Sequence, residues 1–209
     1  GVPSSVVVNT LVSTNDKSDR RGAAVYVGRS SLLTMTDSTL KNAVGAGAIY
    51  ASSAKVTLSK ISVIDSTCPI DSAAVMCVSS SMKITDGSII SGTDGRGLKG
   101  NGCSLTVQDV HFLSNRVVSS QVGDTDINGG GILLVSESEL TIASSTFESN
   151  TAEDDGGGIM CNECIKMEIT TSTFIDNVAG HGGGLSIRSF IHMDDVSNAT
   201  YRIALNAEL

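Results

Sequence analysis

The sequence is poor in aromatic residues, which dominate the cores of many globular proteins. Aromatic side chains make up only 3% of the 209 residues, tryptophan is absent and proline occurs twice. Hydrophobic residues nevertheless reach 40%, and there are 22 glycines. Together with frequent Ser, Thr, Val and Ile, this composition favours many short strands joined by tight turns and disfavours a helical globule.

The sequence also lacks an excess of basic charge and any long apolar run. Its formal net charge is -8, which predicts that nucleic acid and anionic membrane surfaces are not partners. No stretch is long and apolar enough to be a transmembrane segment, and no signal-peptide core is visible. The chain has no initiating Met and stops inside a patterned region, so we expect a mature or partial piece of a longer protein.

Cysteine occurs five times, an odd number that leaves at least one thiol without a partner in the chain. Cys161 and Cys164 form a C-x-x-C sequence, but no second pair stands at the spacing of a zinc site. We therefore interpret Cys161 as a small, inward-packing hydrophobic residue. A redox or metal-binding role of the pair is the alternative.

The chain repeats one pattern of apolar columns. Each repeat begins with an apolar residue, followed two positions later by another apolar or small residue, and this alternation is typical of a half-buried strand. The first column consists of Val25, Ile49, Val75, Leu98, Ile132, Ile159 and Leu185. The second column consists of Val27, Ala51, Cys77, Gly100, Leu134, Cys161 and Ile187.

A second strand in each repeat shows the clearest alternation. Its inward pairs are Leu33/Met35, Val56/Leu58, Met82/Ile84, Leu105/Val107, Leu140/Ile142 and Met167/Ile169. The residue between the two members is always polar: Thr34, Thr57, Lys83, Thr106, Thr141 or Glu168. Five residues after each pair, a third strand places Leu40, Val63, Ile89, Phe112, Phe147 or Phe174 inward. The constant offset predicts the same turn in every repeat.

Three short strands per repeat, with a period of 23 to 27 residues in most repeats, predict an all-β parallel β-helix. We expect one domain over residues 1–209, with about seven turns of the coil, here called rungs. Residues 1–24 would form a partial first rung and a link, and residues 25–187 the regular rungs. Residues 188–209 are expected to be an irregular tail, which either caps the open end or is the remnant of a truncated rung.

Polar residues recur at the corners of the predicted coil. Asn115, Asn150 and Asn177 stand three residues past the third-strand column, where Asn suits a left-handed turn and hydrogen bonds to the main chain. Stacked Asn side chains can also bond to each other along the coil axis. Gly pairs ahead of several first strands predict tight corners. We expect both features to be structural.

The two C-terminal repeats carry a recognisable motif. Phe147 to Asn150 reads F-x-x-N and precedes Gly157-Gly158-Ile159, and Phe174 to Asn177 precedes Gly183-Gly184-Leu185. This pattern resembles the repeats of chlamydial polymorphic outer-membrane proteins and, more broadly, the β-helix of secreted adhesins and pectin-lyase-like proteins. The resemblance implies a right-handed parallel β-helix with a passenger-like or matrix-like role.

The longest insertion between repeats holds a candidate metal site. Asp124, Asp126 and Asn128 place oxygen-bearing side chains at alternate positions before a glycine, as in the first half of a calcium loop. The bidentate Glu of an EF-hand is missing, because Val135 stands in its place. The residues predict either a bound calcium ion or an ordinary polar surface loop, and no other cofactor is expected.

An enzymatic alternative rests on the order Asp154-Asp155, Gly180-His181-Gly182 and Arg202-Ile203, which is similar to the order in polygalacturonases. That resemblance implies that Asp126, Asp154, Asp155 and His181 are catalytic. Paired carboxylates with a proton-tuning His suit inverting glycoside hydrolysis. The register of the repeats predicts that Asp155 and His181 are neighbours on successive rungs.

The favoured function is non-enzymatic. We expect a rigid extracellular or cell-surface β-solenoid that serves as a structural spacer, an adhesin passenger or a filament subunit. Its partners would be other protein chains or cell-surface and matrix glycans, with end-to-end or lateral self-association as a further expectation. Ice binding is a weaker option, because Lys83 and Glu168 interrupt the outward Thr column.

Overall fold

A computed structural model describes residues 4–18, 22–119 and 127–188, and the backbone of residues 200–205. The predicted metal ligands Asp124 and Asp126 lie outside these residues. The described chain consists of 23 strands and contains no helix, so no helix in it is available to cross a membrane. The strands stack in parallel, one rung on the next.

The first strands of successive rungs form a seven-stranded sheet. Its members, in chain order, are β4 (Val25–Val27), β7 (Ile49–Ser52), β9 (Ala73–Val78), β12 (Arg96–Asn101), β16 (Ile132–Val135), β20 (Ile159–Asn162) and β22 (Leu185–Arg188). Every neighbouring pair is parallel, and the predicted heads of the rungs pair with each other, as Ile132 does with Ile159 and Ile159 does with Leu185. The predicted first-strand column is therefore confirmed.

The second and third strands together form a sheet of 12 strands. They are β1 (Ser5–Asn9), β2 (Val12–Thr14), β5 (Leu32–Lys41), β8 (Lys55–Ile64), β10 (Ser81–Thr85), β11 (Ser88–Ser91), β13 (Ser104–Gln108), β14 (Val110–Leu113), β17 (Glu139–Ala143), β18 (Thr146–Glu148), β21 (Lys166–Ile175) and β23 (Thr200–Leu205). In β5, β8 and β21 the second and third strands are continuous. Two short corner ladders join β3 (Lys17–Ser18) to β6 (Val44–Gly45), and β15 (Arg116–Val117) to β19 (Thr151–Ala152).

The register of the second strand agrees with the predicted alternation. Leu140 pairs with Leu105 on one side and Met167 on the other, and all three side chains are buried. Thr141, between the inward residues Leu140 and Ile142, is half-buried on the outer face. Because the inward residues of all rungs stack in one continuous cluster, each rung completes the core of its neighbours.

Ile187, predicted to face inward on the last regular rung, is 37% exposed. The third strand contains an error of register at Ile89. Ile89 is exposed, and Ile90 takes the buried place by pairing with Val63 and Phe112. The turn before this strand holds two consecutive residues of positive φ, Asp86 and Gly87. That extra residue shifts the following strand by one position and exchanges its two faces.

Most corners of the coil use a residue with left-handed backbone. The first corner of the rungs has Ser30, Ser53, Ser79, Gly102, Glu137 and Glu163; the second has Thr10, Asp37, Lys60, Asp86, Asp109, Ser144 and Thr171; the third has Asn15, Asn42, Asp65, Gly92, Ser114, Ser149 and Asp176. Asp and Asn tolerate this conformation well. The amides at these corners still donate to the next rung, as Asp65 does to Ser91 O at 3.0 Å, so the ladder continues around the bend.

The stacked asparagines are confirmed as structural, but not as the left-handed residues. Asn150 Nδ2 donates to Asn177 Oδ1 at 3.0 Å, and Asn115 Nδ2 donates to Asn150 Oδ1 at 2.9 Å. Each amide also donates to a carbonyl of an earlier rung, as Asn150 does to Phe112 O at 2.9 Å. Asn115 and Asn150 are fully buried. The preceding residues, such as Ser149, carry the positive φ.

The described cysteines form two disulfides, Cys77–Cys103 and Cys161–Cys164. The first joins neighbouring rungs, and all four residues are buried. Cys161 packs inward as predicted, but as half of a cystine rather than as a free thiol. Cys68 is the remaining free cysteine. Burial raises the pKa of its thiol to about 12, and the negative charge of Asp94 adds to the increase while a backbone hydrogen bond from Gly47 opposes it. Cys68 is therefore a poor nucleophile at neutral pH.

Part of the tail differs from the irregular structure predicted for residues 188–209. Strand β23 pairs in parallel with β21, placing Tyr201 beside Met167 and Ile203 beside Ile169. Residues 200–205 thus continue the ladder by one more strand. The expected cap and the single-domain division remain predictions.

Candidate functional site

The candidate site lies at the corner that leads into the last three strands of the first sheet. Asn128, Asp155 and His181 each precede a glycine of positive φ, namely Gly129, Gly156 and Gly182. Gly129 N donates to Asp155 O at 2.9 Å, and Gly156 N donates to His181 O at 3.0 Å. We call residues 127–129, 154–156 and 180–182 the glycine corner.

Glycine is required at this corner because the turn is too tight for a side chain. A Cβ atom on Gly156 would lie 2.3 Å from Ile159 O, and one on Gly182 would lie 2.3 Å from Leu185 O. Both φ values are also in the left-handed region. The repeated turn brings the residue before each glycine into the same axial column.

Asp155 is the centre of the column. Its side chain is only 2% exposed, its Oδ1 is 3.4 Å from His181 Nδ1, and its Oδ2 contacts the Arg188 guanidinium. Its backbone N–H donates to Asn128 Oδ1 at 3.1 Å. The carboxylate is therefore enclosed and neutralised by Arg188, a partner that makes its burial tolerable.

The predicted neighbours Asp155 and His181 are brought together, since the two residues form a parallel bridge. Asp154 is exposed whereas Asp155 is buried, so the two carboxylates do not share one environment. Asp126 lies outside the described residues. Sequence reasoning missed Arg188. The feature that could have identified Arg188 as a partner of Asp155 is its outward position on β22, one rung beyond Asp155.

A second enclosed charge lies beside the same corner. Arg96 is fully buried, and its Nε donates to Asn128 O at 2.7 Å. Its Nη1 donates to Ser72 O at 3.3 Å and contacts the Ile70 carbonyl. Because these carbonyls belong to two different corner segments, Arg96 ties the segment before β9 to the segment before β16.

The sequence indicates that Arg96 occupies an unusual position. In the register of the first sheet, Arg96 stands beside Ala73, in a column otherwise made of small residues. A large charged residue at such a position must turn inward and find acceptors, or disrupt the corner.

Comparison with known families agrees with this architecture. Residues 8–200 match the family model for a right-handed β-helix region. The chain belongs to this right-handed β-helix family. Neither the curated proteins nor the solved structures contain a match to it.

Membership of the β-helix family establishes the coil but no reaction, because one fold serves many functions. In inverting glycoside hydrolysis, two carboxyl groups must flank an accessible sugar at about 6.5–9.5 Å from each other. At the glycine corner, Asp155 is enclosed and held by Arg188, while His181 is 79% exposed. The described geometry suits a structural tie better than acid–base chemistry on a polymer.

Of the three predicted metal ligands, Asn128 lies within the described residues. Both oxygen atoms of Asn128 already accept hydrogen bonds, one of them from the positively charged Arg96. Within the described residues, no group of three or more His, Cys, Asp or Glu side chains is arranged to hold a metal ion. Calcium binding by Asp124 and Asp126 remains a prediction.

Proposed function

We propose that the protein is a non-enzymatic β-solenoid of the extracellular space or cell surface, acting as a structural spacer, an adhesin passenger or a filament subunit. The observation that carries this proposal is the unbroken stacking of seven first strands and their neighbours into one core. A coil whose every rung is bonded to the next resists bending and holds its two ends at a fixed separation.

The side-chain ladders inside the coil support a mechanical role. The rings of Phe112, Phe147 and Phe174 stack with centroids 4.9 Å apart, next to the asparagine ladder. These contacts repeat in the direction of the axis and oppose sliding of one rung over another. Two buried disulfides favour an oxidising compartment outside the cytosol.

The outer faces offer surfaces for protein or glycan partners. Thr34, Thr57, Thr106 and Thr141 lie on the outer face of the larger sheet and are only partly buried. Parallel pairing spaces such hydroxyls at about 4.8 Å along the axis. The resemblance to polymorphic outer-membrane repeats and secreted adhesins supports display on a cell surface as the setting.

The spacer proposal is tested by measuring stiffness in solution. We would place spin labels at Thr34→Cys and Glu168→Cys in a Cys68→Ala background, five rungs apart along the sheet. We expect one narrow distance near 24 Å, about five times the 4.8 Å strand spacing. A broad distribution would contradict a rigid spacer. Labels at Thr34 and Thr57, on neighbouring rungs, provide the control for local label motion.

A second candidate function is hydrolysis of an acidic polysaccharide, favoured by the contact between Asp155 and His181. Its test is reducing-sugar release from polygalacturonate by the wild-type chain and by Asp155→Asn. We expect release no greater than that of heat-denatured protein. Activity that is lost in a folded Asp155→Asn variant, with folding checked by circular dichroism, would establish the enzyme instead.

A further inference from the structure

The sequence contains two Asn-Gly pairs, Asn101-Gly102 and Asn128-Gly129. In such a pair the main-chain nitrogen of the glycine can attack the amide carbon of the Asn side chain, because glycine places no Cβ atom in the way. The sequence by itself does not distinguish the two pairs. In the coil they differ in exposure, in hydrogen bonding and in the space around the glycine.

The Asn128-Gly129 pair is held on all sides by the glycine corner. Asn128 Oδ1 accepts a hydrogen bond from Asp155 N at 3.1 Å, and Gly129 N donates to Asp155 O at 2.9 Å. A Cβ atom on Gly129 would lie 2.6 Å from Ile132 O, so the main chain is closely packed. The Asn128 amide carbon and Gly129 N can therefore meet only after these contacts have broken.

The Asn101-Gly102 pair is open by comparison. Asn101 is the last residue of β12, and both members of the pair are exposed. The Asn101 side chain has no hydrogen-bond partner among the described residues. The nearest atom to a Cβ on Gly102 would be Ser136 O, at 3.7 Å. The Asn101 side chain is therefore free to turn towards Gly102 N.

The Gly102 amide also makes the longest hydrogen bond of the first corner. At this corner the N–H of each left-handed residue donates to a carbonyl of the next rung. The distance is 2.8–3.0 Å for Ser30, Ser53, Ser79, Glu137 and Glu163. Gly102 N lies 3.3 Å from Val135 O. A longer bond is weaker, so this amide is the first of its column to become free for reaction.

We propose that Asn101 is a modification site, at which the folded coil undergoes spontaneous deamidation. Gly102 N forms a bond to Asn101 Cγ, the Cγ–Nδ2 bond breaks, and ammonia leaves with the proton of the Gly102 amide. Water then opens the resulting succinimide ring at one of its two carbonyls. Opening at the main-chain carbonyl of residue 101 gives isoaspartate, and opening at Cγ gives aspartate.

The isoaspartate product alters the ladder between three rungs. Asn101 O accepts from Ser79 N at 2.8 Å, and Gly102 N donates to Val135 O. In isoaspartate the main chain runs through Cβ and Cγ of residue 101, which adds one carbon between these two hydrogen bonds. The corner loosens, while the nearby Cys77–Cys103 disulfide keeps the rungs attached. This modification is independent of the spacer, adhesin or filament role of the coil.

Peptide mapping of the aged protein tests the proposal. We would incubate the folded chain at mildly alkaline pH and follow the replacement of the amide NH2 by OH with mass spectrometry. Trypsin cleaves after Lys99 and Arg116, so Asn101 and Asn128 lie on separate peptides. We expect deamidation at Asn101 to be at least about tenfold faster than at Asn128, because Asn128 reacts only after its corner has opened.

The unfolded chain is the control for the effect of the fold. In urea with the disulfides reduced, both pairs should react at the same rate, because only the structure distinguishes them. Asn101→Gln should abolish the reaction at position 101 and leave Asn128 unchanged. Equal rates at the two pairs in the folded chain would overturn the proposal. So would an intact Asn101 after a time in which the unfolded chain reacts completely.

The effect on the corner is measured on the separated product. Anion exchange isolates the deamidated chains, which carry one more negative charge, and electron-transfer fragmentation identifies those with isoaspartate. We expect the isoaspartate form to melt at a lower temperature than the Asn101→Asp variant, which has the same charge and an unaltered main chain. If the two forms melt at the same temperature, isoaspartate does not loosen the corner.

Discussion

Two adjacent residues of β17 show how the pleat of a strand determines the cost of a substitution. Ile142 is fully buried between the equivalent residues Val107 and Ile169, whereas Thr141 is on the outer face. A one-residue step along a strand exchanges core for solvent. The same step accounts for the error at Ile89, where one additional turn residue moved Ile90 into the core.

We expect Ile142→Asp to lower the free energy of unfolding by about 4 kcal/mol or more, because it buries an unpaired carboxylate. Thr141→Asp should change it by less than about 1 kcal/mol. Chemical denaturation followed by circular dichroism gives both values. Equal losses in the two variants would contradict the register of this strand.

At Thr171 the backbone conformation, rather than burial, determines the effect of a substitution. It is exposed, and its φ of 49° is left-handed, which is unfavourable for a β-branched side chain by about 1–2 kcal/mol. Glycine removes that strain but loses about 0.5–1 kcal/mol of chain entropy.

We therefore expect Thr171→Gly to raise the free energy of unfolding by about 0.5–1 kcal/mol. Thr173→Gly is the control, because Thr173 is exposed in the extended part of the same strand and should lose stability. Urea denaturation of the two variants decides the point. A loss at both positions would show that left-handed strain at Thr171 is negligible.

At the scale of elements, the corners hold the rungs in register. The asparagine ladder satisfies buried main-chain groups where the chain leaves the third strand. Asn150 donates to Phe112 O and to Asn177 Oδ1, and its own Oδ1 accepts from Asn115. The position needs a side chain with two N–H donors and one acceptor. Ser has a single donor and Ala has none.

We expect Asn150→Ala to lower the free energy of unfolding by about 3 kcal/mol, since it leaves buried donors and acceptors of three rungs without partners. Asn101→Ala, at an exposed position, should stay within about 0.5 kcal/mol of the wild type. Thermal and chemical denaturation give the comparison. If Asn150→Ala lowers the free energy of unfolding no more than Asn101→Ala does, the asparagine ladder does not stabilise the fold.

At the scale of the whole molecule, stability should depend on the number of neighbours that a rung has. Strand β13 lies between β10 and β17, whereas β5 is the one described strand beside β1. In a linear array of this kind the terminal units open at lower free energy than the central ones.

Hydrogen exchange should therefore be slowest in the central rungs. We expect the amides of β13 to exchange at least about a hundredfold more slowly than those of β1, measured by mass spectrometry at low micromolar concentration. Uniform protection from β1 to β21 would indicate all-or-none opening of the coil instead.

Much of the fold was predictable because apolar and polar residues alternate along the strands of each repeat. The columns from Leu33 to Ile169 follow from period-two alternation, which a strand buried on one face requires whatever its neighbours are. The contact of Asp155 with His181 was predictable for the same reason, since equal positions in successive repeats lie one above the other.

The tertiary structure decided the features that depend on side-chain directions and distances at the corners, which the alternation of apolar and polar residues does not encode. The left-handed turn at Asp86–Gly87, the inward course of Arg96 and the ion pair of Asp155 with Arg188 all arise where the chain leaves regular strands. Cysteine pairing likewise required the stacking of rungs, because it is that stacking which brings Cys103 beside Cys77. The sequence by itself determined the coil and its core columns. The corners were decided by three-dimensional packing, since there the side-chain direction is set by φ and by neighbouring rungs rather than by the strand period.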